Sequence, residues 1–322
     1  MRFNAYAAKE AKARLEPFKY EPKPLAGDEV EIAISHCGIC HSDVHLVDGE
    51  WGDWFPLVPG HEIVGTVTAG TAFAPGERVG VGWQRNSCGG CEYCRAGDEV
   101  LCSKNEATCQ GNFGGFADRI RVKERFAFRI PKELPSETAA PLLCGGVTVY
   151  TPLRRFAGPG SRVGVIGIGG LGHLALQFAK ALGCEVTAFS RAADKEPEAR
   201  RFGAAHFATG DPAKGSLDLI LNTAHAAPDM DAYLGALRPK GVFCQLGAPP
   251  APLVVPAMPL ITGSRSVTGS AIGSPAVIRE MLVLAAQKGI AARTEVAPMR
   301  EANEALDRTR RNQARYRMVL AN

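Results

Sequence analysis

At 322 residues, 46% hydrophobic and 22% charged, the chain is long enough for two globular domains and ordinary in composition. Its net charge of +4, with no Lys/Arg run long enough to form a patch, gives no electrostatic case for nucleic acid or a membrane surface. No stretch approaches the ~20 apolar residues of a bilayer span, and residues 1–12 lack the apolar core of a signal peptide, so a mature N-terminus and a cytoplasmic location are expected.

The first stretch, to about residue 143, holds short strand-like runs divided by Gly and Pro. Residues 30–34 alternate with period two after an Ala-Gly-Asp turn, and residues 63–67, 78–81 and 116–122 are similar, which predicts β-rich material with functional loops. Pro131, Pro135 and Pro141 then mark a loop-rich passage. After it the rhythm changes. Residues 162–166 predict a short apolar strand, and Leu171, Leu174, Phe178 and Leu182 fall near one face of a helix. Strands at 186–189, 217–221 and 242–246 alternate with helices at 195–202 and 230–237, the pattern of a doubly wound parallel sheet, and residues 267–270 offer a last strand. From about Ser274 the spacing predicts helices at 277–287 and 301–309 and a strand at 316–320, a segment too short to fold alone.

Ten cysteines in a chain of this length, without an export signal, favour metal over disulfides and imply a reducing compartment. Four of them form Cys88-x2-Cys91-x2-Cys94-x7-Cys102. Four thiolates in one glycine-bearing loop can close a tetrahedral shell around Zn²⁺, leaving no place for substrate, so the role would be structural. An iron–sulfur cluster or unliganded redox cysteines are the alternatives.

A second group is dispersed: Cys37-Gly-Ile-Cys40-His41-Ser42-Asp43 at the end of a strand, Gly60-His61-Glu62 at the start of another, and Cys144 in Pro-Leu-Leu-Cys-Gly-Gly. Two Cys and one His would give three protein ligands with a fourth position open, enough to polarise a bound alcohol. Taken singly, each Cys is more often a buried small hydrophobe and a lone His more often structural.

These motifs, with Pro59-Gly-His-Glu62, residues 140–150 (Ala-Pro-Leu-Leu-Cys-Gly-Gly-Val-Thr-Val-Tyr) and Gly167-Ile-Gly-Gly-Leu-Gly172, resemble the zinc-dependent medium-chain alcohol dehydrogenases, and among them the cinnamyl alcohol dehydrogenase-like branch, nearly end to end. The resemblance implies that Cys40, His61 and Cys144 hold a catalytic zinc, that Glu62 is the carboxylate able to approach the metal, and that Asp43 orients the ligand imidazole. It implies a proton relay in which Ser42 takes the alcohol proton and the cofactor ribose and His45 pass it on. It places Thr148 near the nicotinamide and Arg317 on the pyrophosphate. His41 stands where relatives often carry Arg, a weaker cation that would loosen the cofactor.

Gly167, Gly169, Gly170, Leu171 and Gly172 follow a strand and open a helix, the context in which such a loop binds pyrophosphate. The next strand ends not in an acid but in Ser190-Arg191, with Lys195 a turn later, which suits a 2′-phosphate and predicts NADP(H) over NAD. Asp194 falls in the loop beyond. The other reading of Arg191 and Lys195 is plain helix-surface charge.

Trp51, Trp54, Phe55 and Trp83 fit either an apolar pocket wall or ordinary core. Positions that often carry large aromatics in the family are Ala107 and Ala271 here, which points to a wider or reshaped pocket of broad specificity, and the turn after Gly70 is shortened against the family, which reads as a loop deletion. The expected architecture is α/β: a β-rich, GroES-like catalytic domain of residues 1–144 and 275–322, a Rossmann domain of residues 145–274, and an active site in the cleft between them. The expected function is a zinc enzyme, with one catalytic and one structural Zn²⁺, moving a hydride between NADP(H) and a primary alcohol/aldehyde pair. A homodimer without nucleic-acid or membrane partners is expected. The alternatives are an NADPH-dependent reductase of another carbonyl or polyol, and a non-catalytic nucleotide-binding protein on the same fold.

Overall fold

In a computed structural model, which describes residues 2–322, the chain divides into two compact units: Met1–Cys144 with Gly273–Asn322, and Gly145–Ile272. No helix among the described residues is long and apolar enough to cross a membrane.

The first unit is organised by the ten-residue strand Glu29–Gly38. It pairs antiparallel with Glu62–Ala69 along one edge. On the other edge its first half meets Arg119–Lys123 and its last three residues meet Arg317–Ala321. The sheet runs Thr294–Pro298, Arg317–Ala321, Glu29–Gly38, Glu62–Ala69, Arg78–Val81, Ala127–Arg129. Ile32, Ile34, Ile63, Val67, Phe116 and Leu320 are buried in one core beneath it. The run expected at 116–122 begins pairing in this sheet only at Arg119, because Ala117 instead bridges Ala5 of the strand Phe3–Ala7.

Glu31, 4% exposed, is the one acid in the middle of that strand. It faces Arg121 across the register and is bonded to Arg121 Nη2 at 2.6 Å, Arg119 Nη1 at 2.8 Å and Thr68 Oγ1 at 2.9 Å. Burial pushes its carboxyl up, but Arg121, Thr68 and Arg119 outweigh that and leave it below the usual carboxylate range.

The second unit is a six-stranded parallel sheet. With its strands numbered along the chain (Arg162–Ile166, Glu185–Phe189, His206–Ala208, Leu217–Asn222, Leu237–Gln245, Ser266–Gly269), the spatial order is 3-2-1-4-5-6, the doubly wound dinucleotide-binding order. Val163, Val165, Leu219, Ile220, Leu221 and Phe243 are fully buried, as strands covered on both faces require. A Leu219→Ala change would cost about 2–5 kcal/mol. Three elements were not expected from periodicity: the strand His206–Ala208 and the helices Gly145–Phe156 and Ala257–Gly263.

Candidate active site and metal centres

The dispersed donors meet within the first unit. The strand Glu29–Gly38 delivers Cys40 as N-cap of the helix His41–Val47, and Asp43, third residue of that helix, accepts the Cys40 backbone N–H at 2.9 Å. The same carboxylate, fully buried, accepts the Gly60 N–H at 2.8 Å and His61 Nδ1–H at 3.0 Å. Asp43 thus fixes the helix start, the approach of the second strand and the imidazole tautomer together. Gly60 sits at φ +102, and a Cβ there would lie 2.6 Å from the Phe116 ring, so only glycine admits this turn.

With its proton on Nδ1, His61 turns Nε2 inward. That nitrogen is buried without a hydrogen-bond partner, and so is Glu62 Oε2. One ligand atom each from Cys40, His61, Glu62 and Cys144 lies within 4.8 Å of every other. A buried imidazole lone pair left bare is costly unless something else occupies it. Two sulfurs, one imidazole and a nearby carboxylate are a donor set that suits Zn²⁺. The Cys144 thiol, hydrogen-bonded to the Cys40 sulfur, pulls the Cys40 thiol well below its usual range and is itself pushed up.

Glu62 is ion-paired through Oε1 with Arg317. Burial pushes its carboxyl up to about 7 against the pull of Arg317. Gly38 makes room for it: a Cβ there would lie 2.1 Å from Glu62 Oε2. Arg317, 6% exposed, meets the donor cluster through Nη2, with Glu62, Cys40 and Cys144 sustaining its charge against burial, while its Nε is buried without a partner. The resemblance had implied a pyrophosphate contact for it.

Ser42 Oγ accepts from Cys40 Sγ at 3.5 Å, beside the donors. His45, three residues on, donates Nδ1–H to Glu50 and stacks on Trp51 with ring centroids 4.8 Å apart. His41 opens the same helix, its ring 5.8 Å from that of His45. Trp83 meets His61 edge to face with ring centroids 4.8 Å apart and meets Trp51 at 6.2 Å, so two indoles border the His61 and His45 imidazoles. Trp54 is 39% exposed, donating to the Trp51 carbonyl, and Phe55 packs on the core. Sequence reasoning missed Glu50, the Arg317 pair and Cys109, whose buried Sγ lies 3.9 Å from His61 Nδ1. Only Cys109 carried a signal, as a cysteine outside both motifs.

Cys88, Cys91, Cys94 and Cys102 also bring their sulfurs within 4.8 Å of one another. Backbone N–H groups point at these sulfurs: Cys91 N to Cys88 Sγ at 3.3 Å, Cys94 N to Cys91 Sγ at 3.5 Å and Lys104 N to Cys102 Sγ at 3.4 Å. The Cys88 thiol is drawn down to about 6, chiefly by the Gly90 and Cys91 amides. Four sulfurs facing amide donors form a closed set suited to Zn²⁺.

In the second unit, Gly167 (φ +84) follows the strand Arg162–Ile166, and a Cβ on Gly172 would lie 1.9 Å from the Gly167 carbonyl oxygen. Nothing lies within 4 Å of a Cβ built on Gly169, so the loop has an open side. Gly170 and Leu171 complete its turn into the helix Gly172–Ala181. Ile166 pairs with Phe189, which sets Ser190 level with Gly167. Ser190 Oγ accepts the Ala192 N–H at 3.2 Å, Arg191 is exposed, and Lys195 Nζ donates to the Ile168 carbonyl at 2.8 Å. Asp194 is exposed within the short turn Ala193–Lys195, beyond the strand end. Thr148 is half-buried in the first turn of the helix Gly145–Phe156.

Residues 26–132 match the alcohol dehydrogenase GroES-like domain and residues 170–287 the zinc-binding dehydrogenase domain. The chain is 46% identical to the probable formaldehyde dehydrogenase AdhA of Bacillus subtilis, over 96% of this chain and 95% of that one. A cinnamyl alcohol dehydrogenase structure from Sorghum bicolor superposes with a TM-score of 0.95 at 39% identity, covering 100% of this chain and 98% of the other. The CAD of Helicobacter pylori, solved in complex with NADP(H), gives 0.93 at 32% identity, with 100% and 98% covered. Sequence identity at this level, sustained from end to end and agreeing with the folds and donor sets of both units, establishes that the chain belongs to the zinc-dependent medium-chain alcohol dehydrogenases, in their cinnamyl alcohol dehydrogenase-like branch.

Proposed function

We propose that the protein is an NADP-dependent zinc alcohol dehydrogenase acting as an aldehyde reductase on primary alcohol/aldehyde pairs, aromatic ones included. One observation carries the reading: His61 Nε2, buried and without a partner, shares a 4.8 Å cluster with Cys40, Glu62 and Cys144. Cys40, His61 and Cys144 would hold a Zn²⁺ acting as a Lewis acid on the substrate oxygen, with NADP(H) supplying or accepting the hydride. Glu62, latched by Arg317, stands by as a further oxygen donor, and Asp43 keeps the His61 lone pair aimed. Ser42 takes the hydroxyl proton in the oxidative direction and returns it in reduction. His45 exchanges it with solvent, its Nδ1–H held by Glu50 so that Nε2 is the accepting atom. Cys88, Cys91, Cys94 and Cys102 would hold a second Zn²⁺ that braces their loop. Gly167, Gly169, Gly170, Leu171 and Gly172 would seat the pyrophosphate, Thr148 would lie near the nicotinamide, and Ser190, Arg191 and Lys195 would take the 2′-phosphate.

The test is metal content with turnover: two zinc per chain, and faster oxidation of NADPH than of NADH with benzaldehyde or cinnamaldehyde. One zinc and no turnover overturns it. Formaldehyde belongs in the panel because the Bacillus subtilis relative is named for it, and a preference for it over both aromatic aldehydes would narrow the substrate class to small aldehydes.

The homodimer is part of the same proposal. Val254, Met258 and Ile261 are 82%, 64% and 70% exposed, and the strand Ser266–Gly269 ends its sheet with one edge open. An Ile261→Asp variant should halve the mass seen by light scattering, and a wild-type protein that is already monomeric refutes the dimer. All ten cysteines are free, which supports a reducing cytoplasm.

A further inference from the structure

We propose that Thr223 is a positioning residue for the cofactor phosphates, acting from behind the glycine loop; this rests on the reading of that loop as the dinucleotide site. Successive carbonyls of the loop are each turned onto a protein donor. Ile166 O accepts the Thr223 N–H at 3.0 Å, Ile168 O accepts Lys195 Nζ at 2.8 Å, and Gly169 O accepts both the backbone N–H and Nδ1 of His173, at 3.1 and 3.0 Å. Gly167 O lies 2.8 Å from Thr223 Oγ1, which is equally close to Ile166 O. A hydroxyl has one proton to give, and Ile166 O is already supplied by the Thr223 amide, so the hydroxyl proton goes to Gly167 O.

That carbonyl is the sensitive one. Gly167 holds φ +84, and a Cβ on Gly172 would sit 1.9 Å from its oxygen, so this carbonyl packs directly against the start of the helix, where only glycine leaves it room. The amide of Gly167 is spent on Phe189 O at 2.9 Å. Among the described residues, the amides of Ile168, Gly169, Gly170 and Leu171 donate to no protein acceptor. The carbonyls of residues 166 to 169 are all met by protein donors and four consecutive N–H groups are left over, which is the arrangement an anion needs. Thr223 comes from the end of the neighbouring strand, Leu217–Asn222, and ties the loop to the sheet at the point where its direction is set.

The test uses the zinc-loaded full chain, titrated calorimetrically with NADPH and with 2′-AMP, which keeps the adenosine 2′-phosphate and lacks the pyrophosphate. Thr223→Val should weaken NADPH about tenfold and 2′-AMP by less than about twofold, and Thr223→Ser, which restores the hydroxyl, should recover NADPH affinity to within about twofold of wild type. Equal losses for both ligands would mean a merely structural role and overturn the proposal, as would an unchanged NADPH affinity in Thr223→Val. If wild type fails to bind NADPH, the dinucleotide reading itself falls; if wild type binds and Thr223→Val binds equally, only the role of Thr223 falls.

Discussion

Asp43→Asn removes one charge and changes nothing in size, which makes it a sharp probe of the catalytic metal centre. The carboxylate accepts from Cys40 N, Gly60 N and His61 Nδ1. An amide in its place has one oxygen. If that oxygen stays on Gly60 and His61, its NH₂ faces the Cys40 N–H, donor against donor, in a site that is 0% exposed. One buried donor then goes unsatisfied at about 1–3 kcal/mol, and the remaining bonds lose their ionic component. Part of that cost falls on the start of the helix that carries Ser42 and His45. The rest falls on the His61 imidazole, less firmly aimed and less basic. Altered supporting partners of this kind typically cost about 10–100-fold in metal affinity, or about 1.4–2.7 kcal/mol. The assay is competitive zinc removal by a chelator, following the two zinc equivalents separately. The weaker-held equivalent should leave about 10–100-fold more readily in the variant, while the equivalent held by the cysteine tetrad is unchanged. Equal retention of both, or equal loss of both, would refute the argument that Asp43 acts through His61.

Ser190→Asp sets a carboxylate level with Gly167 and should shift the NADPH-to-NADH ratio of kcat/KM toward NADH by about 10–100-fold; an unchanged ratio would place the discrimination elsewhere. Cys102→Ser removes a fully buried sulfur from the tetrad and should lower the zinc content by one equivalent and the melting temperature with it, whereas a variant that keeps two zinc would exclude the cysteine loop as a metal site. Glu31→Gln should destabilise the chain by about 2 kcal/mol at neutral pH, kept at that level because both guanidiniums retain some contact with water. The folded-state pKa of Glu31 is depressed, so its stabilisation is present above the ordinary carboxyl range and is lost as the pH falls through the folded value. The gap in melting temperature between wild type and variant should therefore close in acid; a constant gap would show that shape, and not charge, is responsible.

How much the sequence discloses depends on whether a signal is local. Arg78–Val81 and Arg162–Ile166 are apolar runs bounded by glycine or proline, and both strands were legible to the residue. The helix Gly145–Phe156 was not: it opens with two glycines and contains Pro152, poor helix formers all. Burial of Val147, Val149, Tyr150 and Leu153 overrides that propensity. The strand Leu237–Gln245 begins in a segment that reads as a turn, with Lys240 at φ 65 and a register shift against its neighbour between Leu217 and Leu219. The cysteine tetrad was legible from its spacing, whereas Cys40, His61 and Cys144 were legible only through the family resemblance, since each alone reads as core. The partners of those donors were not. Glu62 and Arg317 lie 255 residues apart, and nothing in either local sequence announces the other. Glu50 is an ordinary acid until folding sets it on His45.

The division of the chain has a consequence for the order in which it can mature. The second unit is one uninterrupted stretch, whereas the first needs chain from both sides of it. On a ribosome the nucleotide fold can close while the strand bearing Cys37 and Gly38 still waits for Val319 and Leu320, and while Glu62 has no counter-charge. Cys40, His61 and Cys144 have all been translated by then. A nascent chain therefore passes through an interval in which its thiols exist but the wall behind them does not, and metal captured then would be held by fewer constraints than in the finished enzyme.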